Sequence, residues 1–307
     1  MRNLKTNDHK PILWVITGST AVGKTAVSIE IAKVLNTEIV SADSRQFYKE
    51  LQIGTAAPTQ AELSQVKHHL VGHLSIHDTY NVSDFEQHAL EAIDRIFHKN
   101  QSCVVSGGSG LYLDAIWRGF DTLPPACEST RAHIENVFAE QGIAGLRLWL
   151  KNIDPDFYTR IDLANPNRLK RAIEVTLTTG VPFSQLRTQM VRQRPFQVRF
   201  IVLERERDDL FGRINRRVDL MVQQGLIEES IHFFRYKHLN ALNTVGYKEL
   251  FGWISGRCTL HQAIDNIKTH TRRFAKRQVT WFNKYPDAIR IHPDSALDYI
   301  SRLYKAP

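Results

Sequence analysis

The sequence predicts an α/β fold in which helices flank a parallel sheet and a helical domain interrupts it. Three observations carry that expectation. Apolar, strand-like runs at 12–16, 37–41, 102–106 and 196–203 alternate with helical patterns, as they do when crossover helices join parallel strands. The first run leads through a glycine-rich turn into a helical pattern with Val27, Ile31 and Val34 or Leu35 on one face. Between 121 and 195 the alternation stops, leaving helical patterns with polar joints at Asp154-Pro155, Asn165-Pro166 and Thr179-Gly180. The expected layout is a first core segment at 11–120, a helical insertion at 121–195, and a segment at 196–307 that completes the core and ends in basic helices.

Composition narrows the function classes. A chain of 307 residues, 42% of them hydrophobic, can bury one large core and one small one. Forty Lys and Arg against thirty-two Asp and Glu leave +8, which permits a polyanionic partner without demanding one. Cys103, Cys127 and Cys258 are widely spaced and odd in number, so they suggest a reducing compartment and no metal cluster. The first ten residues are polar, and no run approaches the roughly 18 apolar residues of a membrane span. A cytoplasmic protein without a membrane partner is expected, with no obligate protein partner evident and a monomer as the working state.

The turn after the first run reads Gly18, Ser19, Thr20, Ala21, Val22, Gly23, Lys24 and Thr25. This is the Gly-x4-Gly-Lys-Thr pattern of a P-loop, in its strand, turn and helix context, so the sheet should be P-loop NTPase-like. The glycines let backbone N–H groups converge on phosphate, and the helix start adds unpaired N–H groups of its own. Lys24 supplies a mobile positive charge, and the Thr25 hydroxyl is placed to ligate Mg2+. The pattern says phosphate without saying which molecule carries it.

Further along, the second run ends at Asp43, followed by Ser44, Arg45 and Gln46. Ligands of open parallel sheets bind beyond the carboxyl ends of the strands. Asp43 is therefore either a turn or cap residue, or a carboxylate that takes a proton or holds Mg2+ beside the phosphate. His68, His69, His73 and His77 lack zinc-site spacing and read as a mostly exposed loop, before an amphipathic helix at 82–100 capped by Ser83. The run at 102–106 ends in Gly107-Gly108-Ser109, without the acid that nucleotide hydrolases use for Mg2+, which argues against motor and switch proteins. Ser109 either places a hydroxyl over the site or closes a turn.

The basic residues fall in three places. Asn167, Arg168, Leu169, Lys170 and Arg171 open a helix whose dense basic face is either solvated or a binding surface. Arg213, Arg216 and Arg217 share a helix face, where they can clamp phosphate or pair with nearby acids. Gly246 and Tyr247 enter another helix. Lys268, Arg272, Arg273, Lys276 and Arg277 then stand on a helix beginning near Asp265, an electrostatic footprint for nucleic acid. Phe274, Trp281 and Phe282 belong to that surface or anchor the helix to the core. A small-molecule kinase would explain the P-loop and Asp43 but not this basic helix. A non-catalytic RNA-binding protein would explain the helix but not an intact Lys24-Thr25 pair.

Together these elements resemble one family, the tRNA dimethylallyltransferases, also called tRNA isopentenyltransferases or IPP transferases. The likeness runs from Ile12 to Tyr285. It rests on 18–25, on 41–45 with Tyr48, on 53–55, on 107–109 with Leu111-Tyr112, on Arg168-Leu169 with Arg171-Ala172, on 245–247, and on Arg272 with 275–278 and Thr280-Trp281. The resemblance implies transfer of a dimethylallyl group from dimethylallyl diphosphate to the exocyclic N6 amine of adenosine 37, next to the tRNA anticodon, releasing diphosphate. It implies that 18–25 bind diphosphate with Mg2+ on Thr25, that Asp43 is the general base, and that Ser109 and Arg217 complete the catalytic set. Asp43, Ser44, Arg45, Gln46, Ser109, Asn167, Arg168, Leu169, Lys170, Arg171, Gly246, Tyr247, Arg272, Lys276, Arg277 and Gln278 fall where the family meets tRNA. Three positions depart from its pattern: Ser19 for proline, Asn167 for glutamine and Asn283 for arginine.

Overall fold

The computed structural model describes residues 10–121, 123, 127–187 and 191–305, so the joint expected at 122–125 lies largely outside the described residues, as does the polar run at 1–9. The chain divides into a core unit, 1–117 with 193–307, and an inserted unit, 118–192.

The core unit holds a six-stranded sheet in the order β3-β2-β4-β1-β5-β6. Its strands are β1 (Ile12–Gly18), β2 (Ile39–Ser41), β3 (His68–His69), β4 (Ser102–Gly107), β5 (Gln197–Leu203) and β6 (Ile289–Ile291), and every pair is parallel. β1 is central, with Ile12 to Thr17 registered on Ser102 to Gly107 on one side and on Gln197 to Val202 on the other. A central strand is covered on both faces, which is why its residues are almost all apolar rather than alternating. Leu13 and Val15 pack with the helices Val82–Phe97 and Gly110–Arg118. Trp14 and Ile16 pack on the opposite face with Lys24–Val34, Arg207–Gln223 and Pro293–Lys305. Each of these four side chains is at most 2% exposed. Burial of that completeness contributes about 1.5–3 kcal/mol per side chain. The P-loop thus leaves a strand that is anchored on four sides.

Several local expectations need correction. Residues 59–83 contain an edge strand, β3, where a loop was expected; two adjacent histidines carry no period-two pattern, yet His68 and His69 pair with Ile39 and Val40. The helix Val82–Phe97 is capped by Asn81, whose side chain accepts from the Ser83 and Asp84 amides while Asp84 reciprocates, so Ser83 is its second residue and not its cap. On the P-loop helix Val34 is 39% exposed, whereas Ile31 and Leu35 are buried and Val27 packs against the same core.

The inserted unit has a core of its own, built from Ile134, Leu146, Leu150, Leu169, Ala172, Ile173, Val175 and Phe183 on the helices Glu128–Ile153, Pro166–Thr179 and Phe183–Leu186. Asp154, 1% exposed, caps Phe157 and accepts from the Ser184 amide and hydroxyl at 2.7 Å each, fastening the two short helices together. The backbone amide of Arg192 donates to the carbonyl of Arg118 at 2.8 Å, so the unit's ends meet.

Candidate active site

The P-loop is shaped by backbone that only some residues adopt. Gly18 has φ 144°, and a Cβ there would stand 2.5 Å from the Leu203 carbonyl oxygen on β5. Gly23, at φ 112°, turns the chain into the helix Lys24–Val34. Lys24 folds back over the loop, its Nζ donating to the carbonyls of Gly18 (3.1 Å) and Ser19 (2.9 Å). Burial lowers its pKa to about 8, with Asp43 opposing the shift and Arg217 adding to it. Both groups therefore act on the Lys24 charge across one site. Burial likewise lowers the pKa of Arg217, again against the pull of Asp43.

Two arginines hold the loop from outside: Arg213 Nε donates to the Ala21 carbonyl (2.8 Å) and Arg205 Nε to the Val22 carbonyl (2.9 Å). A third brace is internal. Gln278, 6% exposed on the helix Leu260–Phe282, accepts from the Thr20 amide at 2.7 Å and donates to the Gly108 carbonyl at 2.8 Å. It joins the P-loop to the turn after β4. The glycines of that turn permit close approach: a Cβ on Gly107 would strike the Ala42 carbonyl, and one on Gly108 would strike the Gln278 amide.

Asp43 follows β2 and is both a turn residue and a cleft residue. Its Oδ1 accepts from the Arg45 amide at 3.0 Å, and its side chain lines the same cleft as Lys24, Thr25 and Arg217. The Ser109 hydroxyl accepts from the Ser44 amide (3.1 Å) and donates to the Ser44 hydroxyl (3.2 Å), tying the turn after β4 to the turn after β2. The loop beyond is fastened by Glu229, whose carboxylate accepts from the amides of Gln52, Ile53 and Gly54 and from the Tyr247 hydroxyl at 2.6 Å. The cleft these elements enclose measures about 1180 Å3. Its floor is the P-loop, Asp43 and Arg217; its walls include Leu111, Met221, Phe274 and Trp281 as well as Arg216, Arg273 and Arg277.

The structure thus gathers Thr20, Ala21, Gly23, Lys24, Thr25, Asp43, Ser44, Arg45, Gln46, Ser109, Arg217, Gly246, Arg277 and Gln278 around one cleft. Several residues expected at an RNA surface are engaged by the protein itself or stand outside the cleft. Tyr247 is fully buried, with its hydroxyl on Glu229 and its ring against Gly54. Gln278 is buried with both ends of its amide engaged by the protein. Arg272 donates to Asn215 (2.7 Å) and Thr269 (3.0 Å), and it shares the Phe211 ring with Lys276, at 6.0 and 5.9 Å from the centroid, outside the cleft wall. Within the inserted unit Leu169 is fully buried in the core, Lys170 pairs with Glu135 (2.6 Å) and Arg171 with Glu174 (2.8 Å), whereas Asn167 and Arg168 are exposed.

Sequence reasoning missed Glu229 and the brace made by Gln278, since neither has a local pattern. It also passed over a legible signal: His270, Phe274, Arg277 and Trp281 recur at helical spacing and all face the cleft. Among the described residues no helix is long and apolar enough to cross a membrane, and no three His, Cys, Asp or Glu side chains form a metal cluster.

A P-loop at the end of the central strand, with a carboxylate and an arginine acting on its lysine in a large mixed cleft, defines a P-loop α/β enzyme. Its relatives specify which. A family model described as IPP transferase matches residues 46–285. A tRNA dimethylallyltransferase of Christiangramia forsetii is 47% identical over 272 residues, covering 89% of this chain and 90% of that protein. The solved tRNA isopentenylpyrophosphate transferase of Bacillus halodurans is 34% identical, with a TM-score of 0.71 and 96% of each chain covered. A eukaryotic dimethylallyltransferase solved acting on tRNA is 25% identical, with a TM-score of 0.76 over 92% of this chain and 74% of that one. The chain belongs to the IPP transferase family, that of the tRNA dimethylallyltransferases.

Proposed function

We propose that the enzyme transfers the dimethylallyl group of dimethylallyl diphosphate to the N6 amine of adenosine 37 in tRNA, releasing diphosphate. The carrying observation is the placement of Asp43 beside Lys24 and Arg217, in a cleft roomy enough for a prenyl donor and a turned-out nucleoside together. The donor's diphosphate lies on the loop formed by Gly18, Ser19, Thr20, Ala21, Val22, Gly23, Lys24 and Thr25. As the allylic C–O bond breaks, negative charge grows on the leaving diphosphate, where Lys24, Arg217 and loop amides stabilise it. Asp43 orients the weakly nucleophilic amine and takes its proton as the new C–N bond forms.

Mg2+ fits this floor because the Thr25 hydroxyl and the Asp43 carboxylate line one wall, and Mg2+ usually takes few protein ligands beside phosphate oxygens. Bound there, it would neutralise diphosphate charge. The hydroxyl of Ser109 keeps the Asp43 turn in register through Ser44. Leu111, Met221 and Trp281 supply apolar surface for the prenyl chain. A base stacked beside the anticodon must turn outward to reach the cleft, at a cost of a few kcal/mol. Contacts from Arg45, Arg273 and Arg277 in the cleft, and from Arg168 on the inserted unit, offset that cost by gripping phosphates.

The test is incubation of the protein with Mg2+, dimethylallyl diphosphate and unmodified tRNA, followed by mass spectrometry of the nucleosides and fragments. The expected product is N6-dimethylallyladenosine confined to position 37. Phosphoryl transfer from ATP to a small acceptor, with no prenylated nucleoside, would overturn the assignment.

A further inference from the structure

The helix Leu260–Phe282 presents His270, Phe274, Arg277 and Trp281 at steps of four, three and four residues, so they share one face, and all four line the cleft. His270 is the member whose orientation is fixed. Its Nδ1 lies 2.6 Å from Oε1 of Glu249, a carboxylate only 7% exposed whose other oxygen accepts from the Gly246 amide at 2.8 Å. An ionised carboxylate only accepts, so Nδ1 carries the proton and Nε2 is the ring atom left for a ligand. The imidazole itself is 38% exposed.

One turn on, Phe274 is 40% exposed, a large apolar ring with the Arg277 guanidinium 5.7 Å from its centroid. At the far end the indole Nε1 of Trp281 is a buried donor without a partner among the described residues. A row of rings interleaved with a cation is the surface on which unpaired bases stack, and base-edge or sugar hydrogen bonds then select among them. Arg272 and Lys276, on the other side of the helix, are already engaged with Asn215, Thr269 and Phe211.

We propose that His270 is a further substrate-contacting residue, whose Nε2 makes a hydrogen bond to a nucleotide stacked on Phe274 and thereby reads the RNA around the target base. The assignment rests on the cleft being the tRNA site. Glu249 is its positioning partner, holding the ring so that Nε2 faces the RNA.

Steady-state transfer to tRNA, with each substrate varied in turn, tests this on the full-length enzyme. His270→Phe keeps a ring and deletes Nε2; it should raise KM for tRNA about 5–20-fold, the usual worth of one selective hydrogen bond. KM for dimethylallyl diphosphate should not move, while the melting temperature should fall modestly because Glu249 Oε1 loses its partner. His270→Gln, which carries a polar group near the Nε2 position, should recover part of the loss, and Phe274→Leu should raise KM for tRNA on its own. A KM for tRNA within twofold of the parent in His270→Phe overturns the proposal. So does a shift of both KM values alike, because His270 would then serve only to brace Glu249. A parent enzyme that prenylates no tRNA overturns the reading of function itself, and this proposal with it.

Discussion

Replacing Gln278 by leucine separates two roles for a residue that the family resemblance places at the RNA. In the structure its amide joins the Thr20 N–H to the Gly108 carbonyl with 2.7 and 2.8 Å bonds, and the side chain is 6% exposed. Leucine fills similar space and makes neither bond. Each buried group left unpaired costs about 1–3 kcal/mol. The Thr20 amide is only partly buried while the Gly108 carbonyl is buried, so a combined loss of about 2–4 kcal/mol is expected. For a unit of this size that corresponds to a fall of about 5–15 °C in melting temperature. The diagnostic part is kinetic. With Thr20 released, the P-loop amides lose their fixed geometry, so KM for dimethylallyl diphosphate should rise more than KM for tRNA. Calorimetry and two-substrate kinetics give the answer together. If the melting temperature stays within about 2 °C and only KM for tRNA changes, Gln278 binds RNA directly and the bracing argument is wrong.

The other predictions follow from the same cleft. Asp43→Ala should slow single-turnover transfer by about 10²–10⁴-fold with little change in donor affinity, and an unchanged rate would remove Asp43 from the chemistry. Lys24 is protonated below a pKa of about 8, so donor affinity in the free enzyme should fall as pH rises through that value; a flat profile from pH 7 to 9.5 would refute it. The stability sign is opposite: the unfolded chain holds this proton up to about 10.5, so the cost of burying the charge is relieved as pH rises from about 8 towards 10.5. Arg273→Ala with Arg277→Ala should reduce the salt dependence of tRNA binding by about 0.7 in log–log slope for each phosphate no longer neutralised. Arg272→Ala should instead lower the melting temperature and leave that slope alone, since its guanidinium is engaged with Asn215 and Thr269; an altered slope would return Arg272 to the RNA surface.

What the sequence revealed tracked how local each signal was. The P-loop is legible because strand, glycines, Lys24 and helix are contiguous, and the central strands are legible because full burial makes them continuously apolar. Asp43 could be placed on the cleft edge because it directly follows a strand. The edge strands β3 and β6 were not legible: two or three residues show no period, and their pairing is set by a neighbour distant in sequence. Tyr247 illustrates a further limit. A tyrosine beside a glycine and a lysine looks like a nucleic-acid contact, but its exposure depends on Glu229, 18 positions away. Arg272 and Arg273 are adjacent and chemically identical, and only the rotation of their helix sends one to Asn215 and the other to the cleft.

The hydrogen bond between Arg192 and Arg118 has a consequence for how such an enzyme can change over time. A segment whose entry and exit points touch can be lengthened, exchanged or lost without moving the chain on either side of it. The 118–192 unit brings its own buried core and its own helix caps to that doorway. Its exposed surface, Arg168 included, is therefore free to vary while β4 and β5, which flank the central strand, keep their pairing. Insertion and sheet can thus be inherited as separable parts of one gene.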